Sequence, residues 1–331
     1  MHGEAITAEL GEILELRIRG YPKYTGIHLI DHSLALIIGM FSPGVMNIDR
    51  ANSIQRYFLF SLSSPIAIFT VEAFKKRNSM TLISWTSIWA LLHQCLGIGA
   101  IGPFYFAAYM LASGNEQYWW PLSRQVPTPY SKSLLPALIV GYVLPTAAMY
   151  YPYTNISKAK GMIAFWQGSP VYVNILIAIF AWAYRKLYQE DHRAPEASKP
   201  LPDMQDLRAL YLVSFAISAC SHFSTAFTIF RSTNPELSLT RVFVPTWAVP
   251  NAPFLDSLRN LWLADFWICF LAAGVWCWMA VWDMNRVGHT KTDMLIAAAM
   301  LVGTSVCFGP GAMTAGCWYW REAKMARVSF S

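Results

Sequence analysis

Asp265 stands out in the sequence because it is a carboxylate inside a long apolar stretch. The stretch runs from Leu258 to Met284 and reads LRNLWLADFWICFLAAGVWCWMAVWDM, which exceeds the roughly 20 helical residues that cross a bilayer. Ionisable groups in such stretches are costly to bury and are usually kept for function. Apolar surroundings favour the protonated carboxyl group, so we expect Asp265 to donate a proton. The alternative is a hydrogen bond between helices, from a histidine or an arginine to Asp265.

A second carboxylate lies near the end of another apolar run. Glu72 belongs to the segment YFLFSLSSPIAIFTVEAF, and Lys75, Lys76 and Arg77 follow it closely. Glu72 could turn inward as a second acid, because carboxylates inside membranes usually face the helix bundle. It could equally pair with the neighbouring bases at the membrane surface. The sequence leaves both interpretations open and makes Glu72 the first candidate partner of Asp265.

Asp31 is the third candidate acid, and it lies between two histidines in the motif HLIDH. His28 and His32 are four residues apart and share one helix face, a spacing that can bind a metal. One histidine pair needs further ligands that the sequence does not clearly offer, so we predict no metal. The motif is then expected near the lipid headgroups, where polar side chains in the first turns of a membrane helix reach water.

Polar and aromatic residues in other apolar runs could bind or orient a substrate. Aromatic residues make up 15% of the chain, and aromatic faces that point into the bundle could shelter a carbocation from water. The alternative for the tryptophans is anchoring at the membrane surface, and for the amides a bond to a neighbouring helix. The candidate residues are His93, Gln94, Tyr105, Trp166, Gln167, His222 and Trp262.

The segment GIGAIG at residues 97–102 matches the pattern G-x-G-x-x-G. That pattern binds dinucleotides only between a strand and a helix of a βαβ unit, and here it lies inside an apolar run. Small residues in such a run let a neighbouring helix approach closely or let the helix bend around a cavity. Because Pro103 follows the glycines directly, we predict a kink at this point.

Composition places these residues in a polytopic membrane protein. Of 331 positions, 55% are hydrophobic and 13% are charged. Lipid offers the backbone no hydrogen-bond partners, so the apolar runs should be α-helices. We predict an all-α transmembrane bundle that forms one domain over residues 1–331, with about eight spans of about 20 residues or more. The predicted spans are residues 25–46, 56–74, 80–112, 134–152, 161–187, 207–230, 258–283 and 293–318.

The net charge of +6 does not indicate a nucleic-acid partner, because the lysines and arginines lie mainly between the apolar runs. There they contact lipid headgroups and set the topology. A small excess of these bases on one side predicts cytoplasmic termini, and we expect the chain in the endoplasmic reticulum membrane. All six cysteines lie in apolar runs and should pack as small apolar side chains. The sequence does not indicate an oligomeric state.

The sequence motifs of several enzyme classes do not occur in this chain. The aspartate-rich motifs that bind prenyl diphosphates do not occur, and the seven histidines are too few and too scattered for a membrane diiron site, which needs about eight. The patterns G-x-S-x-G, H-E-x-x-H and the P-loop do not occur either. What remains is acid–base chemistry on an apolar substrate, with no cofactor and no metal, or no catalysis.

The apolar runs, together with three short motifs, resemble a fungal protein family. The motifs are GPFYF at 102–106, AFWQGSP at 164–170, and VFVP at 242–245 followed by LWLAD at 261–265. The chain is similar to the integral-membrane terpene cyclases of meroterpenoid pathways, the ascofuranone, ascochlorin and macrophorin type. The resemblance implies cyclisation of the farnesyl tail of a prenylated phenol or quinone, through protonation of an epoxide or alkene without metal or diphosphate. It assigns the last residue of LWLAD, Asp265, as an acid.

The sequence therefore supports three hypotheses. The first is a membrane-embedded terpene cyclase of secondary metabolism, an isomerase in which Asp265 is the general acid and Glu72 or Asp31 its partner. Its substrate would be an apolar prenylated molecule dissolved among membrane lipids. The second is a transporter or binding protein whose polar residues line a path for a small molecule. The third is an acid–base enzyme similar to a sterol isomerase.

Overall fold

The computed structural model describes residues 25–46, 49–119, 124–188, 203–246 and 254–327. Within these ranges the chain is helical and contains no β-strand, which confirms the predicted all-α fold. The helices are α1 (His28–Val45), α2 (Asp49–Ser61), α3 (Ser63–Phe74), α4 (Thr86–Leu96), α5 (Ile98–Ala112), α6 (Thr128–Leu138), α7 (Leu144–Met149), α8 (Ile156–Trp166), α9 (Ser169–Leu187), α10 (Met204–Arg231), α11 (Leu239–Phe243), α12 (Phe254–Arg286), α13 (Met294–Phe308) and α14 (Pro310–Arg327).

Each of the eight predicted runs contains helix, but three of them are broken or sharply bent. Gly97 separates α4 from α5 and Gly309 separates α13 from α14, with φ angles of +85° and +93°. Residues other than glycine rarely adopt this left-handed region, so both breaks follow from the choice of glycine. Helices α8 and α9 meet at 59°, where Pro170 in the first turn of α9 cannot donate a backbone hydrogen bond.

Among the residues described, four helical segments are long and apolar enough to cross a membrane. The bent pair α8 and α9 would supply a fifth span if it is counted as one. Helices α1, α5 and α13 are apolar but shorter. The breaks thus divide several of the predicted runs into pieces below the length of a full span. The four segments are Ser53–Phe74, Thr128–Met149, Met204–Arg231 and Leu255–Arg286.

Helix α12, which carries Asp265, lies between several neighbours. It packs along α5 and contacts α2 and α14, while α14 also packs along α10 and α3. The span formed by α2 and α3 is largely buried, whereas most of α10 lies at the surface of the bundle. One side of α12 is therefore fixed by side-chain packing against α2, α5 and α14.

A buried ion network joins the ends of α3 and α14. Glu72 of α3 accepts hydrogen bonds from Lys75 Nζ at 2.8 Å and from Arg321 of α14 at 3.0 Å. Glu322 pairs with the same Lys75 and accepts from Arg124 at 2.7 Å. All five residues are almost completely inaccessible to solvent. The network therefore links three stretches of chain that are far apart in sequence.

The charges in this network compensate one another. Burial alone would raise the pKa of Glu322, but the positive charges of Lys75, Arg321 and Arg124 hold it well below its ordinary value. Burial lowers the pKa of Lys75 to about 8, although Glu322 and Glu72 act in the opposite direction. Removing one partner of a buried pair leaves an uncompensated charge, which costs about 3–5 kcal/mol.

We predict that Arg321→Met destabilises the protein by about 3–5 kcal/mol, because Glu72 and Glu322 would lose a shared buried cation. The matched control is Lys132→Met, since Lys132 pairs with Asp206 at 2.8 Å but its side chain is 45% exposed. An exposed pair contributes about 0–1 kcal/mol. Thermal unfolding of the purified protein in detergent, followed by size exclusion, measures both variants. Equal losses in the two variants would contradict a stabilising role for the network.

Candidate functional site

A cavity of about 520 Å³ lies between α1, α2, the junction of α4 with α5, and α12. Its volume falls in the range of small-molecule sites, about 300–1,000 Å³. Most of its walls are apolar or aromatic, and Asp265 is its one carboxylate among the lining residues of the described chain. The lining side chains include Ile37, Met40, Phe41, Phe58, Leu59, Leu62, Ile66, His93, Gln94, Cys95, Leu96, Tyr142, Trp166, Leu261, Trp262 and Ile268.

Asp265 faces the start of a helix within the bundle. Helix α4 ends at Leu96, Gly97 turns the chain, and α5 begins at Ile98. The backbone N–H of Gly99 donates a hydrogen bond to Asp265 Oδ1. The first N–H groups of a helix have no partner within the helix, and they carry the positive end of its dipole. The carboxyl group therefore satisfies a donor that the break between the helices leaves open.

The glycines of GIGAIG permit this contact. A Cβ atom on Gly97 would lie 2.8 Å from Asp265 Oδ1, and one on Gly99 would lie 2.7 Å from the backbone oxygen of Asp265. Both distances are shorter than real Cβ contacts. Residues 97–100 also line the cavity. The sequence predicts two roles for these small residues, close approach of a neighbouring helix and a bend around a cavity. Both occur at this point.

Aromatic rings form much of the cavity wall. Trp262 stands edge-on to Phe41 with ring centroids 4.8 Å apart, and Phe41 lies 5.2 Å from Trp166. Trp166 Nε1 donates to a threonine hydroxyl, and the Tyr142 hydroxyl donates to a backbone carbonyl. The polar atoms of Trp166 and Tyr142 are thus bonded within the protein, and the two rings present π faces and edges to the cavity. Such surfaces suit an apolar or cationic ligand.

Two polar side chains accompany Asp265 in the cavity lining, His93 and Gln94 of α4. Gln94 Nε2 donates a hydrogen bond to Gln167 Oε1, so Gln167 touches the lining through Gln94. This contact joins α4 to the bend between α8 and α9. Of the residues predicted from sequence, the cavity therefore brings together Asp265, His93, Gln94, Trp166 and Trp262.

The remaining candidates lie elsewhere among the described residues. Glu72 lies in the ion network, where it is buried inside the bundle and also pairs with Lys75. Asp31 accepts hydrogen bonds from the backbone N–H groups of residues 25 and 26, at 2.7 and 3.1 Å. These bonds hold the segment before α1 against the first turn of that helix. None of these contacts places Glu72 or Asp31 in the cavity lining.

Tyr105 and His222 also lie outside the cavity lining. Tyr105 is buried against Phe69, with ring centroids 3.8 Å apart. His222 Nδ1 and the Tyr57 hydroxyl share a hydrogen bond of 3.0 Å. Both residues therefore contact a neighbouring helix, Tyr105 through its ring and His222 through a hydrogen bond.

Sequence reasoning missed three aromatic residues of the wall. Phe41 and Phe58 come from α1 and α2, and Tyr142 comes from the π-helical segment Ile139–Val143 between α6 and α7. Each is one of many aromatic residues in apolar runs, and only the tertiary fold distinguishes the rings that face the cavity. No local motif could have identified them.

We predict that Gly97→Ala destabilises the protein by about 1–3 kcal/mol, because Ala would be strained at this φ angle and its Cβ would meet Asp265. The matched control is Gly303→Ala in α13, where a Cβ meets nothing within 4 Å and alanine should be neutral or stabilising. Thermal unfolding in detergent compares the two. A loss at Gly303 as large as that at Gly97 would refute the special role of the break.

Comparison with known proteins places the chain in a family. The model of the CtvD domain matches residues 17–326. The chain is 24% identical over 309 residues to a terpene cyclase of Pyrenophora dematioidea, covering 90% of this chain and 83% of that protein. It is 23% identical over 240 residues to the terpene cyclase ascI of Acremonium egyptiacum, covering 71% of this chain and 59% of ascI.

One similar protein is much longer than this chain and is named as a monooxygenase. The chain is 25% identical over 263 residues to the FAD-dependent monooxygenase verC1 of Penicillium polonicum, covering 79% of this chain but 31% of verC1. The chain thus spans about a third of the length of that relative. No solved structure gives a significant match. Because the family model covers most of its length, the chain belongs to the CtvD domain family.

Proposed function

We propose that this protein is a terpene cyclase that protonates an epoxide or alkene of a farnesylated phenol or quinone. The observation that carries the proposal is a single carboxyl group, Asp265, within an apolar and aromatic cavity of about 520 Å³. The relatives named terpene cyclase support the reaction class. The apolar helices support a site within a membrane, and we propose the endoplasmic reticulum membrane with cytoplasmic termini; the ends of the chain lie outside the described residues.

The first step is proton transfer from Asp265. The Gly99 amide engages Oδ1, and in this proposal Oδ2 carries the proton to the substrate. Protonation of the epoxide oxygen lets its bond to the more substituted carbon break as a hydroxyl group forms. The remaining carboxylate is stabilised by the N-terminus of α5. Apolar surroundings that retain the proton and a helix end that accepts the resulting charge together suit a general acid.

Ring closure follows at the carbon that loses the oxygen. The π electrons of a neighbouring alkene form the new carbon–carbon bond, and the positive charge moves to the far carbon of that alkene. Trp166, Trp262 and Phe41 can stabilise this charge through their rings. The apolar walls also keep out water, which would otherwise add to the cation.

The reaction ends when the cation loses a proton or is captured by an oxygen of the substrate. His93 is the candidate base, because its imidazole lines the same cavity as the acid. One proton enters the substrate and one leaves it, so substrate and product are isomers and Asp265 is reprotonated for the next turnover. This balance requires no oxidant or reductant in the cyclisation step.

We predict that Asp265→Asn lowers turnover by about 100-fold or more, since general acids contribute about 10²- to 10⁴-fold. Purified protein in lipid nanodiscs is given a farnesylated phenol and its terminal epoxide, and chromatography with mass detection identifies a cyclic product of unchanged mass. The matched control is Asp206→Asn, because Asp206 pairs with the half-exposed Lys132. An Asp265→Asn variant that keeps full activity would overturn the assignment, and uptake of unchanged substrate into liposomes that contain the protein would favour a transporter.

We predict that Trp262→Leu lowers kcat by about 2- to 30-fold, which corresponds to the loss of about 0.5–2 kcal/mol of cation stabilisation. Trp262→Phe keeps an aromatic ring and should retain more of the activity than Trp262→Leu. Steady-state kinetics with the epoxide substrate, together with binding of a phenol whose prenyl tail is saturated and cannot react, separate a fall in kcat from weaker binding. A greater loss in the Phe variant than in the Leu variant would contradict cation stabilisation by this ring.

A further inference from the structure

The cavity is open on one side, and the side chains around the opening are exposed. Leu261 and Ile268 of α12 are 52% and 50% exposed, and Leu96 at the end of α4 is 63% exposed. Cys95 and Ala100 are exposed as well, and all five residues line the cavity. We call these five residues the rim. The rim contains neither a charged residue nor a hydrogen-bonding side chain other than a thiol.

The spacing of the rim residues places Asp265 directly behind the opening. Leu261, Asp265 and Ile268 are separated by four and three residues, so they lie on one stripe of α12. Leu261 and Ile268 are seven residues apart, about 10 Å along the helix axis, and Asp265 lies between them. On the opposite side, Leu96 and Ala100 flank the break at Gly97 that lets Gly99 reach Asp265.

We propose that an apolar prenylated substrate passes sideways between the lipid phase and the cavity through the opening bounded by the rim. The inference rests on the proposed function for the nature of the substrate. Leu261 and Ile268 belong to α12, which is long and apolar enough to span a membrane, and Ala100 belongs to the shorter apolar helix α5; in this proposal these exposed side chains lie against hydrocarbon. A prenyl chain dissolved in lipid reaches the acid without crossing a polar surface.

Among the described residues, the aromatic part of the cavity wall offers no comparable opening. Phe58, Tyr142 and Trp166 are between 0% and 3% exposed, and their rings close the parts of the wall that do not belong to the rim. The rim side chains are therefore exposed, whereas Phe58, Tyr142 and Trp166 are almost completely buried. Narrowing the rim should slow access of the substrate without altering the groups that perform the chemistry.

The first test narrows the opening. Leu261→Trp and Ile268→Trp are expected to raise the KM of the prenylated substrate about tenfold, with a larger proportional change in KM than in kcat. The matched control is Leu271→Trp, because Leu271 lies on the same helix, is 63% exposed and does not belong to the cavity lining. Equal changes in all three variants, or none in the rim variants, would overturn the proposed opening.

The second test uses the unaltered protein and needs no turnover. Cys95, Cys220 and Cys307 are all exposed, but only Cys95 among them lines the cavity. In nanodiscs, a lipophilic maleimide is added with and without an unreactive farnesylated phenol, and mass spectrometry measures labelling at each cysteine. We expect at least a threefold protection of Cys95 and none of Cys220 or Cys307. Equal protection of all three, or of none, would overturn the proposal.

The two tests also separate this proposal from the proposed function. Protection of Cys95 in a protein that forms no cyclic product would retain the opening and refute the cyclase. Cyclisation without protection of Cys95, and with unchanged KM in the rim variants, would retain the cyclase and refute the opening.

Discussion

The hydrogen bond between the Gly99 amide and Asp265 is the contact on which the rest of the site depends. It exists because Gly97 ends one helix and lets another begin inside the bundle. The break exposes backbone donors in surroundings where no lipid group could bond to them. Asp265 satisfies one of these donors, and the same break forms part of the cavity wall. One departure from regular helix thus holds the acid, shapes the cavity and opens its rim.

Two kinds of buried carboxylate serve different purposes in this fold. Glu72 and Glu322 are surrounded by Lys75, Arg321 and Arg124, and their charge is neutralised within the network. Asp265 accepts a hydrogen bond from the Gly99 amide and lines a cavity with mostly apolar and aromatic walls, and no ion pair joins it to a cation within the described part of the chain. A carboxyl group without a cation gains less from ionisation, and therefore retains a proton more readily. This difference in surroundings separates a stabilising carboxylate from a candidate acid.

The sequence revealed the acid more readily than its surroundings. Asp265 could be recognised because a charge in an apolar run is rare, and GIGAIG could be recognised as a point of bending because glycines precede a proline. The partners of Glu72 could not be predicted, since Arg321 lies 249 residues away. The group that orients Asp265 is a backbone amide, which leaves no side-chain signature. The helical breaks at Gly97 and Gly309 depend on backbone angles that the apolar pattern does not report.

We expect Asp265 to carry a proton when an apolar substrate fills the cavity. Infrared difference spectroscopy of the purified protein in nanodiscs at neutral pH, with an unreactive farnesylated phenol bound, detects the C=O stretch of a protonated carboxylic acid. The expected result is such a band in the unaltered protein, shifted in D₂O and absent from Asp265→Asn. If the unaltered protein shows no protonated-carboxyl band that Asp265→Asn lacks, Asp265 is ionised in the complex, and that result would contradict its role as the proton donor.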